Sequence, residues 1–247
     1  MRSNRIRLVL TALVALVLGS CNGGAAPPAS SGALTPPLAL PAHVWAPETL
    51  SAINTYPGAV NGTDNLFSPQ DGDAKSGGHG SVVDRRIPCL PSMGNGYHIH
   101  IFLGIIYKGS LVAMPDAIGM VRPGPATNGF VNAAQCYYLI HTHDSSGIVH
   151  VENPNVHPPS AILYKLRNVL DVWGVPHSAN SFGPFHGHIL TFVGNVPLKQ
   201  TVVSSYSRYN GSYEFVPLQS HEVIWIEIGK PFYAASQLPP VTFYLEY

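Results

Sequence analysis

Strand-like alternation of apolar and polar side chains begins near Tyr97 and recurs toward the end of the chain. Residues 98–115, HIHIFLGIIYKGSLVAMP, hold two β-rich runs around Lys108-Gly109 and predict a hairpin. Residues 136–154, CYYLIHTHDSSGIVHVENP, predict a second hairpin turning at Asp144–Gly147. A helical period occurs next: Ile162, Leu163, Leu166, Val169, Leu170 and Trp173 share one face, with Ser160 as N-cap and Gly174 just past the end. GHILTFVGN (187–195) and HEVIWIEIG (221–229) read as further strands. The pattern predicts an α+β, β-rich domain over residues 89–247: two hairpins, one helix, then more strands.

The earlier part of the chain reads differently. Residues 1–20 carry Arg2, Arg5 and Arg7, then an apolar run from Leu8 to Leu18, then small residues, as a secretory signal does. The run is short for a membrane span. Leu18-Gly19-Ser20-Cys21 resembles a bacterial lipoprotein lipobox, which implies cleavage before Cys21 and diacylation of its thiol. An ordinary secreted chain with an incidental cysteine is the alternative. Asn22 after the cysteine resembles an outer-membrane sorting pattern, for a cell that has an outer membrane. Residues 21–45 are a Gly/Pro/Ala/Ser tether, and 46–88 an irregular, turn-rich wrapping segment.

Composition narrows the function classes. Formal charge is zero over 247 residues, so no basic surface invites nucleic acid. Loss of the three signal arginines leaves ten bases against thirteen acids. With Cys21 lipidated, Cys89 and Cys136 remain as an even pair in an oxidising compartment, and a disulfide is expected. Closing a loop of about 48 residues contributes about 3–4 kcal/mol by chain entropy. Two soft metal ligands are the competing reading of that pair.

The anomaly is histidine: twelve residues, nearly as many as the thirteen Lys+Arg. A strand puts i and i+2 on one face, so His98 faces with His100, His141 with His143, and His150 with Glu152. An even hairpin loop pairs His141 with His150, Leu139 with Glu152 and His143 with Ile148, and gathers the ligand-type residues on one side. An odd loop inverts half of them. Neutral imidazole is the common protein ligand for zinc, copper, nickel and iron. We therefore expect a metal site at His141, His143 and His150, completed by His98 and His100 if their strand neighbours 136–143. Glu152 and Asp144 are further ligands, orienting partners or a general base. His186 and His188 form a third HxH pair, read as a second site or a loop accident.

Two resemblances bear on the fold and the motif. The order of elements from residue 136, and the ending FVGN…VPLQSHEVIWIEIG, resemble a β-grasp half-domain of small sulfur-carrier proteins; those end in Gly-Gly and this chain runs on to Tyr247, so only the fold carries over. HIH at 98–100, VAMPDAIG at 112–119, CYYLIHTHDSSGIVHVE at 136–152 and LDVWG at 170–174 resemble a family of exported bacterial and archaeal proteins. That resemblance covers about residues 87–230. It supports the domain limits and the motif and implies no reaction.

Three functions stay open. The first is an envelope-anchored lipoprotein that binds Cu(II) or Zn(II); four methionines, one of them Met1, argue against a thioether Cu(I) site. The second is an extracytoplasmic metal-dependent enzyme: a water-activating zinc hydrolase or lyase, or cupin-like oxygenase chemistry. The HIH pair followed by a distant histidine is similar to extracellular carbonic anhydrases and cupins, but the third histidine lies further on and the cupin glycines are absent. The third is a structural or interaction module without a metal. No G-x-S-x-G, HExxH, phosphate-binding loop or C-x-x-C occurs. Trp45, Trp173, Trp225 and the tyrosines read as core.

Overall fold

The computed structural model describes residues 49–64, 66–67, 87–93, 96–153, 164–197 and 199–244. The signal peptide, Cys21, the tether with Trp45, most of the wrapping segment, and Ser160, Ile162 and Leu163 lie outside the described residues. The described residues belong to one unit, Val44–Tyr247.

The domain is α+β and β-rich, and a seven-stranded mixed sheet organises it. Its central strand β1 is Tyr97–Tyr107, followed by β2 (Ser110–Val112), β3 (Ile140–His141) and β4 (Ile148–Asn153). After the helix α1 (Leu166–Trp173) come β5 (Ile189–Gly194), β6 (Ser207–Arg208) and β7 (Glu222–Ile228). Across the sheet the order is β6-β5-β7-β1-β4-β3, with β2 on the far half of the β1 edge that β4 occupies. β1 and β7 run parallel, from Ile101 opposite Glu222 to Tyr107 opposite Ile228; the other pairs in this sheet are antiparallel.

Local chemistry accounts for the first hairpin. Tyr107 pairs with Ser110 across a two-residue turn whose Lys108 and Gly109 both take positive φ, 50° and 81°. That is the turn whose twist matches its strands. β1 itself is buried on both faces, which explains its unbroken apolar run from Ile101 to Leu103 and on to Ile106. Ile99, Ile101, Leu103 and Ile105 enter a cluster with Val169, Leu170 and Trp173 of α1. Phe102 and Ile106 enter a second cluster, with Phe192, Trp225 and Phe243. Gly104 is where the ring of Trp225 crosses β1: a Cβ there would stand 2.3 Å from the indole.

The helix is shorter than its periodicity predicts. Leu166 N–H donates to the Val216 carbonyl, and Leu218 N–H donates to that of Tyr164. Those tertiary bonds hold Tyr164–Leu166 extended, so α1 begins at Leu166 instead of near Ser160. The Asn168 side chain accepts from Lys165 N–H at 2.9 Å and closes the first turn. Gly174 ends the helix at φ 73°, its N–H on the Leu170 carbonyl.

The later strands do not close a sheet of their own. β5 and β7 pair with each other, and the parallel partner of β7 is β1, from the first half. The segment before residue 89 also joins the fold. Ile53–Asn54 is a short strand parallel to Val241–Thr242, and Phe67 is buried against Trp173 with ring centroids 4.7 Å apart. Cys89 and Cys136 form the expected disulfide, their Cα atoms 5.5 Å apart. They lie on neighbouring strands of a three-stranded sheet (Cys89–Leu90, Cys136–Tyr138, Met120–Val121). Among the described residues no helix is long and apolar enough to cross a membrane.

Candidate metal centre

Strand register builds the site. On β4, Val149 and Val151 point into the helix-side cluster, so His150 and Glu152 take the opposite face. His150 pairs with His100 of β1 on one side and His141 of β3 on the other. His141, His150 and His100 therefore form one row across three adjacent strands. The next row along holds His98 opposite Glu152. The even-loop register is present, with Ile140 on Val151 and His141 on His150, and Glu152 N–H on the Leu139 carbonyl.

Two parts of the expected geometry differ. The strand carrying His98 and His100 borders β4 and not residues 136–143, so His150 sits in the middle of the row. The predicted pairing of His143 with Ile148 does not form, because β3 ends at His141. His143 is positioned instead by Phe130 and Val131. Its ring stacks on Phe130 at 4.6 Å and 7°, its Nδ1 lies 2.6 Å from the Val131 carbonyl, and its own carbonyl accepts from Val131 N–H. Gly147 turns the chain back at φ 89°, with Phe102 and the Leu103 carbonyl packed where a Cβ would stand, at 2.6 and 3.0 Å.

The imidazoles fall into two trios whose ligand atoms all lie within 4.8 Å of one another: His141, His143 and His150, all buried, and His98, His100 and His150, which reach the surface at His98. These groups can hold a metal ion. His141 Nδ1 lies 2.9 Å from the Tyr138 carbonyl. A carbonyl only accepts, so Nδ1 of His141 carries its hydrogen, as does Nδ1 of His143 on Val131. In neutral rings both Nε2 atoms are then bare lone pairs, and they face each other at 3.2 Å. Such an approach is repulsive until a cation stands between them. A bound proton is a poor candidate. Burial, reinforced by His143, pushes His141 down to about 3.

The remaining rings share that bias toward the neutral form. Burial, with neighbouring imidazoles, lowers His100 to about 3 and His150 well below its ordinary value. His98 and His143 are also lowered, chiefly by burial. His98 Nε2 is 3.1 Å from His150 Nδ1. Two imidazoles on one tetrahedral ion, with bonds of 2.0–2.1 Å, place their nitrogens about 3.3 Å apart. Both close pairs have that spacing.

The carboxylates behave differently from one another. Glu152 is buried, with Oε1 3.5 Å from His98 Nε2 and 3.9 Å from His141 Nε2. Asp144 accepts from Gly58 N–H at 2.7 Å and Ser146 N–H at 3.0 Å, which folds the turn and ties it to residue 58. Its charge also favours protonation of His143, against the effect of burial. His186 and His188 sit on a separate, exposed hairpin edge and join neither trio. His221 was not foreseen from sequence. Its N–H donates to the His100 carbonyl, its ring packs on Phe243 at 4.9 Å, and it contributes to the lowering of His100. A lone histidine ahead of a strand carries no sequence signal of such a position.

No known family profile, curated protein or solved structure matches this chain.

Proposed function

We propose that this chain is an exported, lipid-anchored protein that binds a divalent transition metal, Cu(II) or Zn(II), through the histidine cluster of its central sheet. The opposed Nε2 lone pairs of His141 and His143 carry the reading, since a cation between them removes the repulsion and satisfies both. Burial keeps the His100 and His141 rings neutral at neutral pH, so an ion that binds their bare nitrogens does not compete with an imidazolium proton. An all-imidazole donor set suits Cu(II) and Zn(II), and the intrinsic order of affinities places Cu(II) above Zn(II). Met114 and Met120 are buried in apolar clusters. Export rests on the signal sequence and Cys21.

The test is elemental analysis of the purified protein beside His141→Asn/His143→Asn. Asparagine keeps an amide donor near the place of Nδ1 and deletes Nε2. The wild type should carry stoichiometric metal and the double variant should hold less of it, while His186→Ala/His188→Ala should match the wild type. Equal metal in wild type and the asparagine variant would end the assignment.

Water activation is the second reading, and one observation favours it. A cavity of about 20 Å³ beside His100 and His150, walled also by Thr55, Phe130 and Asp144, is large enough for one water. Zinc-dependent hydration or hydrolysis of a small substrate, absent from the apoprotein, is the outcome that would promote it over simple binding.

A further inference from the structure

From the arrangement of the two trios, we infer that the centre takes two divalent cations, with the His150 imidazole bridging them. This rests on the metal-binding reading and extends it to the number of ions and their linkage.

Ligand supply is the first argument. Five imidazoles and a carboxylate exceed the four positions of a tetrahedral ion. Grouping is the second. The ligand atoms form two tight sets, and His150 belongs to both. Each set contains one of the short nitrogen–nitrogen approaches, 3.2 Å between His141 and His143 and 3.1 Å between His98 and His150. The centre thus has two coordination edges, sharing a ring at the middle of the row. Imidazole can serve two ions because its nitrogens point away from each other. When the second ion binds, the N–H proton left on His150 goes to solvent, and both nitrogens become donors. Glu152 adds a carboxyl oxygen between the sets, 3.5 Å from a ring of one and 3.9 Å from a ring of the other.

Burial separates the two positions in behaviour. The His141/His143 trio is sealed, whereas His98 has 28% of its side chain exposed. The inner ion should therefore exchange slowly and the outer one quickly. The outer position is the one a chelator or another protein's ligand can reach.

The full-length protein in detergent is titrated with Cu(II), and bound copper and its paramagnetic signal are measured together. Two ions per chain are expected, with an integrated signal well below two spins because the shared ring couples them. His98→Asn, at the exposed ring, should bind one ion with a full one-spin signal. His141→Asn/His143→Asn should likewise retain one ion in the outer trio, so loss of stoichiometry there means a fall from two to one. His150→Ala should weaken both positions. A single ion in the wild type, or two ions with an uncoupled signal, overturns the bridged centre and leaves metal binding standing. No bound ion overturns the metal reading itself.

Discussion

His143→Asn is the most informative single change. It leaves a donor toward the Val131 carbonyl and removes one of the two opposed lone pairs. Structural zinc sites contribute about 10–16 kcal/mol of apparent binding free energy. Shared among four ligands, that is about 3–4 kcal/mol each, or a Kd raised about 10²–10³-fold. Metal at about 1,000 times the wild-type Kd stabilises the folded state by about 4 kcal/mol, which in a domain of this size lifts Tm by about 8–16 °C. At the same metal concentration that position in the variant contributes only about 0.4–1.4 kcal/mol, a rise of about 1–6 °C. Loss of the Phe130 stacking contact, about 1 kcal/mol, sets the difference between the two apoproteins. Thermal melts with and without Zn(II) separate these contributions. An undiminished metal-induced rise in the variant refutes the argument from opposed lone pairs.

Three further outcomes follow from the same geometry. Gly147→Ala should destabilise the domain by about 1–3 kcal/mol in urea melts, through its left-handed backbone and the packed Phe102 ring; an unchanged midpoint would show that the turn tolerates a Cβ. Cys89→Ser/Cys136→Ser should cost about 3–4 kcal/mol by equilibrium unfolding and leave metal content unchanged, since neither cysteine belongs to a trio; metal loss in that variant would implicate the pair in the site. The apoprotein should lose stability as pH falls below about 6.5. The lowered imidazoles, His100 and His141 at about 3, leave more protons on the unfolded chain, at up to about 1.4 kcal/mol per group and pH unit. Burial raises Glu222 and Glu227 to about 7, so these two contribute with the opposite sign, and Glu227→Gln should steepen the acid loss. A flat profile between pH 6.5 and 5 would contradict this.

What sequence reveals here is set by periodicity. Cross-strand pairing of His141 with His150 was legible on the condition of an even turn centred at Ser145-Ser146, which the structure has; an odd turn would have inverted it. The Lys108-Gly109 hairpin and the Gly174 helix end were legible because each needs a residue able to take a positive φ. The start of α1 was not, because tertiary bonds from Val216 and Leu218 capture Tyr164–Leu166 and override a good helical face. Neither was the neighbour of β1. Alternation says which face a histidine takes and is silent on which strand lies beside it. The hold on His143 was the least legible of all, because it comes from Phe130 and Val131 in a loop with no periodic pattern.

The two faces of the same strands explain why the fold and the centre form one device. On one face Ile101, Leu103, Val149 and Val151 press against α1, and that packing fixes β1, β3 and β4 in register. On the other face the same register sets imidazoles opposite each other at strand spacing. Sealing neutral imidazoles into that position carries a desolvation cost and, at His141 and His143, an electrostatic one. A sequence free to vary would relieve both by placing an apolar residue at 143, where the Phe130 ring offers it a stacking surface. Beyond its bond to the Val131 carbonyl and its stack on Phe130, the imidazole there presents a nitrogen to His141 at 3.2 Å. A cation between the two rings would turn that nitrogen from a liability into a bond, so the hydrophobic face holds the register of a histidine row that can hold a metal ion.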